Sequence, residues 1–300
     1  MNLTKETTMT DATHLDPTRK HDFVFLFDVA DGNPNGDPDA GGMPRTDPET
    51  MQGLVTDVAI KRKIRNMVAL LGEGKPGYDI YVEAGVSLNS QHERAYQALG
   101  IPKTKEKAKK DTAVESQARD WMCKTFFDVR TFGAVMTTGT QHAGRVQGPV
   151  QLTFSRSIDP VVPQEHGITR VTRTKEEDTK ETEMGGKHAV PYGLYRGFGH
   201  FSAPLAAKTG VTTDDLAMFW RAMQLMFEHD RASTRGEMAL RRLYVFTHSD
   251  AFGAAPSHTL FDLITVTRQV DGPARSFQDY TIKIDEDGLP DGVTLTKVVG

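Results

Sequence analysis

The order of apolar and polar positions divides the chain into short runs separated by turn-forming residues. Phe23-Val24-Phe25-Leu26-Phe27 is continuously apolar, the pattern of a central strand covered on both faces. It runs into Asp31-Gly32-Asn33-Pro34-Asn35-Gly36-Asp37-Pro38-Asp39-Ala40-Gly41-Gly42, which neither continues a strand nor starts a helix. Over 53–71, Ile60, Ile64, Met67, Val68 and Leu71 recur at helical spacing, and Gly72, Gly74, Pro76 and Gly77 end the helix. A short β segment is predicted at 80–88. Residues 91–127 read as helical, broken at Gly100, at Pro102 and by the lysine-rich 103–110. Residues 151–157 alternate as a strand does, whereas 159–187 carry no apolar stripe and read as a protruding hairpin or mobile loop.

Residues 192–201 are aromatic, glycine-rich and extended in character. Thr212-Thr213-Asp214-Asp215 opens a helix whose Leu216, Phe219, Trp220, Met223 and Phe227 face inward. Strands are predicted at 243–247 and 261–267, with edge strands at 280–284 and 293–299. The polar, Thr-rich residues 1–20 read as a disordered tail, and 21–300 as one elaborated domain. The alternation of strands and helices with long insertions predicts an α+β fold, a split β-α-β sheet of the ferredoxin-like kind.

Charge adds a constraint. The 300 residues carry 36 Lys and Arg against 40 Asp and Glu, a net charge of −4, which taken whole speaks against a nucleic-acid partner. The balance is segregated, however. Residues 1–60 stand at −7 and 271–300 at −3, leaving +6 on the 210 residues between them. A binding field is local, so the basic middle is compatible with a polyanion. The single cysteine, Cys123, excludes a disulfide framework and fits a reducing compartment. No run is long and apolar enough to span a bilayer, and no signal-peptide core opens the chain; the expected compartment is the cytoplasm, with no membrane partner.

Candidate chemistry is sparse. In Asp57-Val58-Ala59-Ile60-Lys61-Arg62-Lys63-Ile64-Arg65, Lys61 and Arg65 share one flank of the apolar stripe, Lys63 the other, and Arg62 points away. A solvated basic face is the simpler reading of such a helix alone. The glycine-rich loop before it could cradle phosphate through its backbone N–H groups, although no P-loop pattern is present. Asp31, Asn33, Asn35, Gly36, Asp37 and Asp39 imitate half of a calcium loop, but Gly42 stands where a bidentate Glu belongs. Arg196-Gly197-Phe198-Gly199 imitates the start of an RNA-recognition signature and fails at His200 and Ala203. Its simpler reading is a glycine-relieved strand packed beside another element. Cys123 reads as a buried small hydrophobe. Arg130 and Arg145 bracket a small-residue stretch that would let a ligand approach the backbone. Arg170, Arg173, Lys187 and His188 surround Met184-Gly185-Gly186, a loop tip or an apolar wedge. No metal spacing and no catalytic constellation is present, and no cofactor is expected.

Together these strings resemble a known family. Asn33-Pro34-Asn35-Gly36-Asp37-Pro38-Asp39 with Pro44-Arg45, Leu54-Val55-Thr56-Asp57 running into Lys61-Arg62-Lys63-Ile64-Arg65, the 127–136 string, Gly148-Pro149-Val150-Gln151 and Val190-Pro191-Tyr192-Gly193-Leu194-Tyr195 look like CRISPR-associated protein family seven, in its type I-C variant. The resemblance covers roughly 21–270. It implies a right-hand shape, with an RNA-recognition-like palm (21–71, 128–158 and 188–300), a helical finger insertion (about 72–127) and a thumb hairpin (about 159–187). It also implies a non-enzymatic backbone subunit that polymerises along crRNA and displays the spacer to target DNA. Further copies of itself and the family-five, large and small Cascade subunits would be its partners. On that pattern Lys61, Arg62, Lys63 and Arg65 hold guide phosphates. The 33–45 loop, with Asn33, Asn35 and Arg45, lines the channel, as do Arg130 and Arg145. Arg170, Arg173, Lys187 and His188 belong to or flank the thumb, and Met184 is its wedge. The alternative is a metal-dependent endoribonuclease subunit cutting bound RNA with Asp37 or Asp39, although no second ligand group or general base accompanies them. A metal-binding or structural protein without nucleic acid is the third reading.

Overall fold

The apolar run at 23–27 is the middle of β1 (His21–Gly32), which is buried continuously from His21 to Val29. The computed structural model describes residues 12–102, 112–171 and 183–300. After β1 come β2 (Gly36–Asp37), β3 (Met43–Pro44) and β4 (Gln52–Val55). Four helices follow: α1 (Asp57–Leu71), α2 (Leu88–Ala98), α3 (Thr112–Thr125) and α4 (Phe127–Phe132). Next are β5 (Gly133–Met136), β6 (Gly144–Gln147), β7 (Val150–Leu152), β8 (Ser155–Pro160), β9 (Gln164–Arg170) and the long β10 (Glu183–Phe201). The chain continues with α5 (Ala203–Thr209), α6 (Thr213–Leu225), β11 (Glu237–His248) and α7 (Ser257–Asp262). It closes with β12 (Ile264–Arg268), β13 (Tyr280–Ile284) and β14 (Val293–Val299).

The main sheet runs β14-β11-β1-β10-β8-β4, with β7 and β9 also paired to β10. β1 lies between β10 and β11, antiparallel to both, so the strand–helix–strand units through α1 and α6 interleave in one sheet. Alternation along β1 then explains its composition. Phe23, Phe25 and Phe27 face a layer made by Ile60 and Ile64 of α1 and Phe219 and Trp220 of α6. Val24 and Leu26 face the opposite layer, built from α7, β12 and β13. Phe23 meets Trp220 edge-on at 5.0 Å, and Phe27 stacks on Tyr195 at 5.3 Å. β10 makes room for these rings. A Cβ on Gly199 would stand 2.0 Å from the Phe23 ring, and one on Gly197 2.2 Å from Phe25. The decoy signature at 196–199 therefore has a packing reason for its glycines.

Local signals set the helix ends. Thr56 caps α1 by accepting the Ala59 N–H, and Thr212 and Asp215 form a reciprocal capping box on α6. The predicted helix at 53–71 accordingly begins only at Asp57, and its first residues form β4. The strand predicted at 80–88 is absent. The Tyr81 and Val82 N–H groups donate to the Asp128 carboxylate at 2.8 and 3.1 Å instead of to a ladder. The run at 261–267 is split between α7 and β12, and 151–157 is broken at Thr153-Phe154 between β7 and β8. Helix α5 was not predicted. α2, α3, α4 and the β5–β6 hairpin share a separate small core around Tyr81, Met122, Phe126 and Met136.

The tail expected at 1–20 lies partly outside the described residues, and from residue 12 it packs against the sheet. Leu15 touches the main core, and the Trp220 Nε1–H donates to the His14 carbonyl at 3.0 Å. Among the described residues no helix is long and apolar enough to cross a membrane.

His21 shows how this packing couples to pH. Its Nε2 lies 2.8 Å from the Asp16 carbonyl and its Nδ1 3.1 Å from the Thr247 hydroxyl, so the neutral ring is satisfied on both sides. Burial pushes the imidazole down to about 4. Below its ordinary value of about 6.5 the unfolded chain takes a proton that the fold refuses, so stability falls as pH drops from about 6.5 towards 4. The loss at pH 5 is about 2 kcal/mol, at roughly 1.4 kcal/mol per pH unit. Urea denaturation at pH 7.5 and pH 5 should show a smaller loss for His21→Gln than for the parent. Equal losses would refute this origin.

Candidate functional site

The glycine-rich loop and α1 come together through the asparagines. Asn33 Nδ2 donates to the Gly42 carbonyl at 2.7 Å, and Asn35 Oδ1 accepts the N–H of Thr56, the α1 cap, at 2.9 Å. The Arg45 N–H reaches the Asn35 carbonyl at 3.2 Å, and its guanidinium lies 3.4 Å from Asp37. Asp37 also accepts the Asp39 N–H at 3.1 Å. The polar residues that imitate a calcium loop thus fold the loop on itself and staple it to the helix. On its other side the Asn33 N–H donates to the Thr234 carbonyl at 2.8 Å. A Cβ on Gly32 would stand 1.9 Å from the Arg235 carbonyl, so only glycine lets the 231–236 segment close there.

Between loop, α1 and that segment lies a cleft of about 370 Å³, lined by Asn33, Asn35, Gly36, Arg62, Lys63 and Arg235 among others. None of the described residues lining it is acidic. Arg62 is exposed, and among the described residues no ion pair or hydrogen bond ties it. Below it Asp230 pairs with both Lys63 and Arg235. Such a cleft, with an untethered guanidinium beside a turn of glycines, suits a phosphate.

The other α1 cations have structural duties. Lys63 is buried at 4% exposure, and burial pushes its ammonium down despite Asp230. It does not meet solvent phosphate as expected. Arg65 is bound to buried Asp128 at 2.7 Å and lies over the Phe132 ring at 5.2 Å. Lys61 pairs with Asp57 at 3.0 Å and reaches Gln151 at 3.4 Å. Arg130 is the clearest correction. It is 6% exposed, grips Asp215 with two nitrogens at 2.6 and 3.0 Å, and gives a third contact to the Gly77 carbonyl at 2.6 Å. It does not line the α1 cleft.

The remaining candidates lie elsewhere. Arg145 is exposed on β6, opposite Val135. In the β9–β10 hairpin Met184 is 86% exposed and stands opposite Thr169, while Lys187 and His188 face His166 and Glu165. None of these lines the α1 cleft. Arg170 pairs with Glu183 through its backbone, and Arg173 falls outside the described residues. Cys123 is buried, its thiol pushed up to about 11 by loss of water. Sequence reasoning missed Thr234 and Arg235, which reach the cleft from the loop before β11; no local signal separates them from other loop residues.

A family model described as CRISPR-associated protein Cas7 matches residues 19–285. A CRISPR-associated protein Cas7 of Haloferax volcanii is 25% identical over 254 residues, which is 75% of this chain and 69% of that protein. Among solved structures, a chain of a CRISPR RNA-guided surveillance complex in a pre-nicking state aligns with a TM-score of 0.49 and 17% identity, covering 76% of this chain and 75% of the other. A chain of another CRISPR RNA-guided surveillance complex gives 0.45 and 14%, with 79% and 71% covered.

Proposed function

The chain belongs to the CRISPR-associated protein Cas7 family, and from that premise we propose that it is a non-catalytic backbone subunit of an RNA-guided surveillance complex. Its type is I-C, as the strings at 33–45 and 57–65 suggest. Copies polymerise along crRNA, with the other Cascade subunits at their flanks, and display the spacer to target DNA. The proposed compartment is the cytoplasm. The sheet with α1 and α6 serves as palm, α2 and α3 as finger, and the β9–β10 hairpin as thumb, with Met184 as wedge. A backbone that accepts any spacer reads phosphate and sugar rather than base edges.

The observation that carries this reading is the acid-free cleft between the 33–42 loop and α1, with Arg62 untethered at its mouth. Against the endoribonuclease alternative, Asp37 is engaged by Arg45 and by the turn around Asp39. Arg62→Ala should weaken crRNA binding and reduce the slope of log K against log salt by roughly 0.7–0.9 per chain. Lys283→Ala, an exposed cation on β13, should leave the slope unchanged. An unaltered slope for Arg62→Ala would refute the assignment. Fold should be unaffected, because Arg62 is exposed and no hydrogen bond or ion pair ties it among the described residues.

A further inference from the structure

RNA-recognition modules stack bases on aromatic residues of the open sheet face. In this chain the corresponding face is filled from within. Phe198 of β10 lies on the side of Val24 and is stacked by Phe261 of α7 at 4.6 Å, with the rings 21° from parallel. The Arg196 guanidinium lies over the same Phe198 ring at 5.3 Å. The layer formed by α7, β12 and β13 therefore takes the place a base would occupy.

At the rim of that layer a cleft of about 610 Å³ remains, lined by Gln52, Phe154, Arg156, Arg196, Phe198 and Val266 among others. No acidic residue is among the described residues lining it. Phe154 sits at the break between β7 and β8 and is 51% exposed. The break is fixed: the Thr153 N–H donates to the Phe198 carbonyl at 3.0 Å, and the Phe198 N–H to the Thr153 hydroxyl at 3.3 Å. A large ring held half in water on a hydrogen-bonded backbone is a ready stacking platform, because less chain entropy is lost on binding than from a free loop. Arg156 spends one nitrogen on Asp47 at 2.9 Å and is 52% exposed, so the rest of its fork is open. Arg196 makes one long hydrogen bond, 3.4 Å to the Ile264 carbonyl, and burial pushes its guanidinium down. Both cations would gain from an anion in the cleft.

We propose that this cleft binds single-stranded nucleic acid, with one base stacked on Phe154 and the adjoining phosphate held by Arg156 and Arg196. An aromatic face beside guanidinium groups, with no acidic residue among the described lining residues and Asp47 engaging only one Arg156 nitrogen, is the combination by which sequence-tolerant single-strand sites work. The site shares no lining residue with the α1 cleft, so it stands independently of the guide-binding reading.

The test uses the 300-residue chain carrying Arg62→Ala, which weakens the α1 cleft, and fluorescence anisotropy with labelled five-nucleotide oligo(U) and oligo(dT). The two probes decide between an RNA and a DNA occupant. Phe154→Ala should weaken binding of the preferred probe about tenfold, Phe154→Trp should retain it, and Arg156→Ala should lower the salt dependence. Phe154 is half exposed and outside the core, so these variants keep the fold. Unchanged affinity in Phe154→Ala would overturn the proposal. So would displacement of the probe by a polyglutamate peptide as readily as by unlabelled oligonucleotide, which would mark an acidic-protein surface. Loss of crRNA binding in Arg62→Ala tests the other cleft and leaves this result separate.

Discussion

Arg130→Ala is expected to lower the free energy of unfolding by about 3–5 kcal/mol, the usual cost of removing one partner from a buried ion pair. Arg130 and Asp215 are both nearly inaccessible, at 6% and 3% exposure. Asp215 cannot compensate by turning to water. Its Oδ2 already accepts the Thr212 N–H at 2.9 Å as part of the α6 cap, so the substitution leaves an uncompensated carboxylate at the start of α6. It also frees the Gly77 carbonyl and removes a cation over the Tyr78 and Phe127 rings, 5.4 Å away in each case. Arg130→Lys keeps the charge without the two-pronged grip and should recover only part of the loss. Urea denaturation measures the effect; a change below about 1 kcal/mol would show that the pair contributes little. The crRNA slope should not move beyond what unfolding explains, which separates Arg130 from Arg62.

Asp230→Ala should be comparably severe, by about 3–5 kcal/mol. Asp230 is the shared partner of Lys63 and Arg235, and Lys63 has 5% side-chain exposure. Without the carboxylate, the Lys63 ammonium is buried against the Phe227 ring, 5.7 Å away, with its charge uncompensated. Lys63→Met should cost less, because Arg235 continues to neutralise Asp230 and the methionine stem refills the space. The double variant should then be less damaged than the sum of the two single changes. Strict additivity in denaturation would argue against the coupling. Because Arg235 walls the α1 cleft, Asp230→Ala should also loosen that wall, and crRNA affinity should fall with the salt slope retained.

Much of the architecture was legible in the chain. The continuous apolar run at 23–27 announced a central strand, and the stripes through Ile60 and Phe219 announced the two helices that pack together on one face of the interleaved sheet. Thr212 marked the start of α6 because capping is a property of neighbouring residues, whereas the cap at Thr56 was passed over and the helix placed from 53. The misreadings share one cause. At 80–88 a carboxylate 46 and 47 residues away in sequence, Asp128, takes the N–H groups that a strand would pair. At 261–267 the apolar pattern serves a short helix that packs on Phe198.

The candidate site was legible in outline, and the structure adds which of its cations are already paired. The loop and the basic helix were rightly paired, since the Asn and Thr residues that join them lie close along the chain. The basic residues themselves were treated as equivalent, and they are not. Helical periodicity fixes the direction of each side chain around α1, and it correctly set Arg62 away from the apolar stripe. It cannot say what stands opposite. Lys63 finds Asp230 at a separation of 167 residues, Arg65 finds Asp128, and Arg130 finds Asp215. By itself the sequence determined most of the local elements, the sheet's central strand and the family. Only the tertiary structure decided which cations are bound inside the fold and which remain for a ligand, because neutralisation of a charge depends on distance in space, and folding sets that distance.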